Sequence, residues 1–209
     1  MLKIGILVSG GGTNLQSVID AVESGYIPNS EIVTVVSSKK EAYALERAKN
    51  HRIPGEYISR KGFQSQEQYD EALIKNMKEH EVELVLLCGF LSILGETFIK
   101  EFENKIINIH PALIPSFCGK GYYGLKVHEE ALKYGIKITG ATVHFVEIEP
   151  DAGPIILQKA VEIKDDDTPE VLQKRVMEEA EWYLMPLAVK LYAENRLEIV
   201  DRKVKIKGS

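Results

Sequence analysis

Residues 2–8, "LKIGILV", are apolar almost throughout, and the next apolar positions, Leu15, Val18, Ile19 and Val22, recur at three- and four-residue intervals. The first pattern is a strand buried on both faces; the second is one face of a helix, stopped by Gly25. The alternation repeats down the chain. "EIVTVVSS" precedes the helical "EAYALERAKNH", and the helical "SQEQYDEALIKNMKEHE" precedes the fully apolar "VELVLLCGF". A short helix at about 96–102 then leads into "KIINIH". Apolar strands alternating with amphipathic helices predict an α/β fold: a Rossmann-like, mostly parallel sheet with helices on both faces.

The second half reads differently. "IKITGATVHFVEIE" alternates over a long strand, and after the turn "PDAG" comes "GPIILQKAVEI", which together predict a late antiparallel hairpin. "DDDTPEVLQKRVMEEAEWYLMPLAVKLYAENR" predicts a long helix, with Thr168 as N-cap, Pro169 at the first helical position and acids at the positive end of the dipole. Pro186 predicts a kink or a division at that point. The last dozen residues read as a small hairpin. With no repeat, low-complexity segment or linker, residues 1–209 read as a single domain.

Composition adds mainly exclusions. A formal charge of −5 supplies no basic field for nucleic acid, and the longest basic cluster is the tail "DRKVKIK". Two cysteines, Cys88 and Cys118, are too few for a disulfide framework or a zinc site, and Cys88 in "LVLLCGF" reads as a reduced, buried thiol. The five histidines are scattered without ligand spacing, so no metal is expected. No apolar stretch is long enough for a signal peptide or membrane span, which predicts a cytoplasmic protein with no membrane partner.

Two stretches carry chemistry. "SGGGTN" stands between a buried strand and a helix, where glycines let the backbone approach an anion and the helix start offers N–H groups. Dinucleotide spacing would need glycine where Leu15 stands, and "SSKK" supplies no acid for a ribose. A single phosphate fits better; Ser37, Ser38 and Lys39 keep an NADP 2′-phosphate open, and a merely space-saving turn is the plain alternative. "NIHPALIP" ends a strand with Asn108 and His110 one residue apart, hence on the same face. An imidazole can exchange a proton near neutrality, and an amide N–H₂ can donate to a developing oxyanion. Asp151, in "EPDAGP", is a candidate partner carboxylate, although a turn aspartate is ordinarily a turn-former.

Taken in order, "SGGGTNLQ", "GFLSIL", "NIHPALIP", "GATVHFV" and "DAGPIILQ" resemble the glycinamide ribonucleotide formyltransferases, over residues 2 to about 195. The resemblance implies Asn108, His110 and Asp151 as catalytic residues. It implies that Gly11, Gly12, Thr13 and Asn14 hold the ribonucleotide phosphate and that Glu181 binds the ribose hydroxyls. Phe90, Leu91, Ser92, Ile93, Leu94 and Val146, with Asn108 and Asp151, would line the pocket for 10-formyltetrahydrofolate, and His144 would support the site. The phosphate-binding half would then span about 1–103 and the catalytic and folate-binding half about 104–209. The implied reaction moves a formyl group to the amine of glycinamide ribonucleotide, in purine biosynthesis, without metal, in a monomer or homodimer.

Two departures stand out. Ser92 occupies a place that is arginine in many members, and "CGKGYYGLKVH" replaces a short Pro-Gly turn with an insertion of about five residues, within 116–126. Formyltetrahydrofolate hydrolases share the Asn, His and Asp, but with a regulatory domain before the first strand; methionyl-tRNA formyltransferases add a C-terminal barrel and a basic face. An NADP-binding reductase, or a noncatalytic nucleotide sensor, would leave Asn108, His110 and Asp151 without a purpose.

Overall fold

A computed structural model describes residues 1–208. Two compact units divide at Asn108/Ile109. In the first, β1 (Leu2–Val8), β2 (Ser30–Ser37), β3 (Gly55–Tyr57), β4 (Leu84–Cys88) and β5 (Ile106–His110, whose last two residues belong to the second unit) run parallel. Their order is β3-β2-β1-β4-β5. Helices α1 (Thr13–Glu23), α2 (Tyr43–Asn50), α3 (Gln66–Glu79) and α4 (Glu96–Glu101) intervene. The fold is thus the mostly parallel α/β sheet that the apolar runs predict. Edge strand β3 is exposed along its length and carries no apolar run, so its sequence gives no strand signal.

Strand order reverses between β1 and β4, so the crevice beyond their carboxyl ends is the switch point where open α/β sheets take ligands. The Gly-rich turn leaves β1 there, and "GFLSIL" leaves β4 there. Leu7 pairs with Leu87 and Leu87 with Asn108, so the three strand ends are level. At ordinary strand spacing Asn108 lies about 10 Å across the sheet from β1.

In the second unit, α5 (Leu125–Tyr134) precedes β6 (Ile138–Phe145) and β7 (Ile155–Glu162), an antiparallel pair. β9 (Lys203–Ile206) joins β7 in parallel and pairs antiparallel with β8 (Leu197–Val200), forming the expected terminal hairpin. Three expectations change. β6 stops at Phe145 instead of running to Glu149, and residues 146–154 form a long loop rather than a tight turn. There the Gly153 backbone presses on the Phe145 carbonyl and leaves no room for a Cβ. α5 has no counterpart in the periodic reading; it is closed by Gly135 in the left-handed region (φ 83).

The long helix divides, but a turn before Pro186. α6 (Pro169–Val176) and α7 (Trp182–Ala193) are joined by a π-helical turn, Met177–Glu181. Buried Leu172, Val176, Ala180, Leu184 and Ala188 recur every four residues. In a straight α-helix that spacing drifts by about 40° a step; one wide turn takes up the drift and keeps the stripe inward. Thr168 caps α6 as expected, its hydroxyl accepting from Val171 N–H.

Candidate active site

Ser9, buried at the end of β1, ties together the loops that leave β1, β2 and β4. Its Oγ lies 2.6 Å from Ser38 Oγ and accepts from Leu91 N–H at 2.8 Å. Gly10 and Gly11 face solvent. Gly12 is the N-cap of α1, at φ 71 and ψ 37, and a Cβ on it would lie 2.7 Å from that of Ala44. Glycine is therefore required for both conformation and space. Thr13 and Asn14 open α1, whose first turn holds no acid to offset the positive end of its dipole. This is the geometry of an anion site. Ser37 Oγ donates to Lys39 O and accepts from Lys39 N–H, while Ser38 is held by Ser9. The hydroxyls that an NADP phosphate would need are engaged within the protein.

Loop 89–95 brings Phe90, Leu91, Ser92, Ile93 and Leu94 to the same sheet edge. Leu91 is 50% exposed and Ile93 76%, an uncovered apolar wall suited to a flat organic ring. Burial raises the pKa of the Tyr69 hydroxyl, partly offset by nearby Ser92, and that hydroxyl has no hydrogen-bond partner among the described residues. The loop is anchored by two residues of α3 that periodicity alone could not single out. Buried Asp70 accepts from Gly95 N–H at 3.0 Å and Phe98 N–H at 3.3 Å, capping α4 from outside, and Gln66 donates to the Ile93 carbonyl at 3.1 Å. Asp70 stands at a helical position with apolar neighbours, so only its buried placement reveals the role.

Asn108 and His110 share one face of β5, with Asn108 half-buried and His110 buried. In the second unit, Asp151 sits on the 146–154 loop in the left-handed conformation (φ 56), which aspartate tolerates better than most residues. Its Oδ2 is 3.5 Å from His110 Nδ1, its Oδ1 is 3.5 Å from His144 Nε2, and Oδ2 accepts from Gly119 N–H at 2.8 Å. Buried His144 donates from Nδ1 to the Phe145 carbonyl. His110 donates from Nε2 to the Phe117 carbonyl at 2.8 Å. The predicted His110–Asp151 pairing is thus present, with His144 as a third member.

The electrostatics oppose one another. Burial pushes His110 below the ordinary imidazole range and outweighs the upward pull of Asp151 and of the Phe117 carbonyl. Burial pulls Asp151 the other way, but His144, His110 and Gly119 N–H together hold its carboxyl below the usual range. The result is an ionised carboxylate beside an imidazole that rests neutral.

The insertion after Pro115 is a folded loop. Phe117 packs edge-on against Tyr122 and Tyr134, with centroids 6.2 and 5.9 Å apart, and Gly119 binds Asp151. Cys118 Sγ donates to the Pro115 carbonyl; burial and Asp151 raise its pKa, so it is a poor nucleophile. Val146 lies just beyond β6, and Glu181 is buried at the end of the π-helical turn. His128 on α5 was not singled out by sequence. It is fully buried, neither ring nitrogen has a partner among the described residues, and burial, with some help from His110, lowers its pKa to about 4.

A cavity of about 600 Å³ beside β3 and α3, lined by Glu56, Lys61, Lys75 and Asn76 among others, includes none of the predicted residues. Among the described residues no group of three or more His, Cys, Asp or Glu is placed to hold a metal ion. No described helix is long and apolar enough to cross a membrane.

Comparison with known proteins converges on one family. Residues 2–189 match the formyl transferase family. The chain is 40% identical over 208 residues to a phosphoribosylglycinamide formyltransferase of Haemophilus influenzae, covering 100% of this chain and 95% of the relative. It is 42% identical over 200 residues to the trifunctional purine biosynthetic protein adenosine-3 of Gallus gallus, covering 95% of this chain and 19% of that longer protein. The crystal structure of glycinamide ribonucleotide transformylase 1 from Symbiobacterium toebii superposes with a TM-score of 0.93 at 39% identity, over 99% of this chain and 94% of that one. Buried apolar strands, a glycine-bound helix start and a carboxylate between two buried imidazoles thus occur in a chain that belongs to the formyl transferase family.

Proposed function

We propose that this protein transfers the formyl group of 10-formyltetrahydrofolate to the primary amine of glycinamide ribonucleotide, a step of purine biosynthesis. The observation that carries the reading is the set of Asn108 and His110 on one strand end with Asp151 3.5 Å from the imidazole. Full-length likeness to a phosphoribosylglycinamide formyltransferase supports the choice of substrates.

Each part of the chain has a task. The N–H groups from Gly11 to Asn14 take the phosphate, and buried Glu181 accepts from ribose hydroxyls. Leu91 and Ile93 give the pterin an apolar surface. The folate supplies the formyl group. At the reacting centre, the Asn108 amide and the His110 N–H donate to the formyl oxygen as negative charge gathers there. A proton taken up by His110 is stabilised by Asp151, which stays ionised, and His144 fixes that carboxylate's direction. As the amine nitrogen bonds to the formyl carbon, the bond from that carbon to N10 of the folate breaks. The proton the amine loses passes through water to N10, so tetrahydrofolate leaves neutral at that nitrogen and Asp151 is ionised before and after.

The test is turnover of 10-formyltetrahydrofolate with and without glycinamide ribonucleotide. Transfer requires the amine and yields formylglycinamide ribonucleotide. Formate released at the same rate without the amine would identify a hydrolase, and no turnover would overturn the assignment.

A further inference from the structure

The carbonyl groups of the Gly-rich turn are all spoken for. Ala44 N–H on α2 donates to Gly10 O at 3.1 Å. Three residues on, Arg47 donates from Nε to Gly11 O at 2.8 Å and from Nη1 to Gln16 Oε1 at 3.0 Å. Its guanidinium lies over the Tyr43 ring, 5.0 Å from the centroid. Gly12 O accepts from Gln16 N–H at 2.9 Å, the first bond of α1. In a trans peptide the N–H points opposite to the C=O of the same unit. Holding the carbonyls of Gly10, Gly11 and Gly12 therefore turns the N–H groups of Gly11, Gly12 and Thr13 away from α2 and from the body of α1. Gly12 in the left-handed region completes the concave run of amides that binds anions.

We infer that Arg47 is a positioning residue for phosphate recognition, acting through the Gly11 carbonyl to orient the loop's amides. The inference rests on reading this loop as the ribonucleotide phosphate site. Arginine suits the task because one rigid fork reaches two acceptors while its plane stacks on Tyr43. A lysine would keep the charge and lose the fork. A free peptide unit at Gly11, exposed and without a side chain, would otherwise sample the flipped orientation that presents oxygen to the anion.

The experiment compares wild type, Arg47→Lys and Arg47→Met by steady-state kinetics, and by NMR titration of the Gly11 and Gly12 amides with inorganic phosphate. Both variants are expected to raise the KM for glycinamide ribonucleotide by about tenfold, the worth of one charge-assisted hydrogen bond. The folate KM and kcat should stay within about twofold, and the phosphate-induced shifts of both amides should shrink. Full rescue by Arg47→Lys would assign the effect to charge and overturn the positioning role. So would a variant that loses thermal stability while its ribonucleotide KM and amide shifts are unchanged. If the wild-type amides themselves ignore phosphate, the reading of the loop as the phosphate site fails first, and this inference with it.

Discussion

His110 donates from Nε2 to the carbonyl oxygen of Phe117, 2.8 Å away, while its Nδ1 faces Asp151. A carbonyl can only accept, so the neutral ring carries its proton on Nε2. The same N–H would serve a reacting oxygen, and exchanging one acceptor for another costs little net free energy. Nitrogen-15 spectra of the ligand-free protein near pH 7.5 should show His110 as the Nε2-protonated tautomer. A ring protonated on Nδ1 alone would contradict the arrangement.

Asp151→Asn preserves shape and removes charge. Without the carboxylate nothing but the Phe117 carbonyl opposes the downward pull of burial on His110, so the imidazole pKa should fall further. Activity should drop by roughly a hundredfold or more, as for loss of an acid–base participant. The limb of the pH–rate profile governed by His110 protonation should move to lower pH, with the ribonucleotide KM little changed. Near-normal turnover with an unmoved profile would reduce Asp151 to a turn-former.

His128 makes the fold acid-sensitive. Its folded pKa of about 4 lies below the ordinary 6.5. Above pH 6.5 both folded and unfolded chains hold it neutral, and stability does not depend on it. Between pH 6.5 and 4 the unfolded chain takes up a proton that the folded one refuses, so stability is lost as pH falls. The loss attributable to this residue is about 2 kcal/mol by pH 5. Urea unfolding of His128→Leu at pH 7.5 and pH 5 should show that part of the difference gone; an unchanged difference would remove His128 as its source.

Two neighbouring glycines should behave differently. A Cβ at Gly11 meets nothing within 4 Å, so Gly11→Ala should leave stability within about 0.5 kcal/mol. It should nevertheless raise the ribonucleotide KM, because the added methyl crowds a phosphate drawn to the backbone. Gly12→Ala forces a left-handed alanine against Ala44 and should cost about 1–3 kcal/mol in thermal or urea unfolding. Equal stability of the two variants would contradict the packing of α2 on the turn.

Asp70→Ala should act on the folate side. It strips the acceptor from Gly95 and Phe98 N–H, leaving the start of α4 uncapped and loop 89–95 loosened. A stability loss of about 1–3 kcal/mol should accompany a raised folate KM and an unchanged ribonucleotide KM. The reverse pattern of KM changes would sever the loop from the pterin.

Much was determined by local order along the chain. Apolar runs such as "LKIGILV" and "LVLLC" can be buried only between helices, so the parallel sheet follows from them. Asn108 and His110 share a face because strand geometry repeats every two residues, whatever the strand packs against. Thr168 and Pro169 start α6 by local chemistry alone. Tertiary structure decided the rest, because those contacts span tens of residues and leave no periodic trace. Nothing local in "EPDAGP" tells a turn-forming aspartate from one set 3.5 Å from both His110 and His144. Arg47 sits in an ordinary polar helix and gains its role only where α2 meets Gly11. The helix expected to break at Pro186 instead widened at Met177–Glu181, since a four-residue repeat of buried side chains had to keep facing inward. Burial, finally, outweighed Asp151 in setting the resting charge of His110, and burial belongs to the folded whole rather than to any segment.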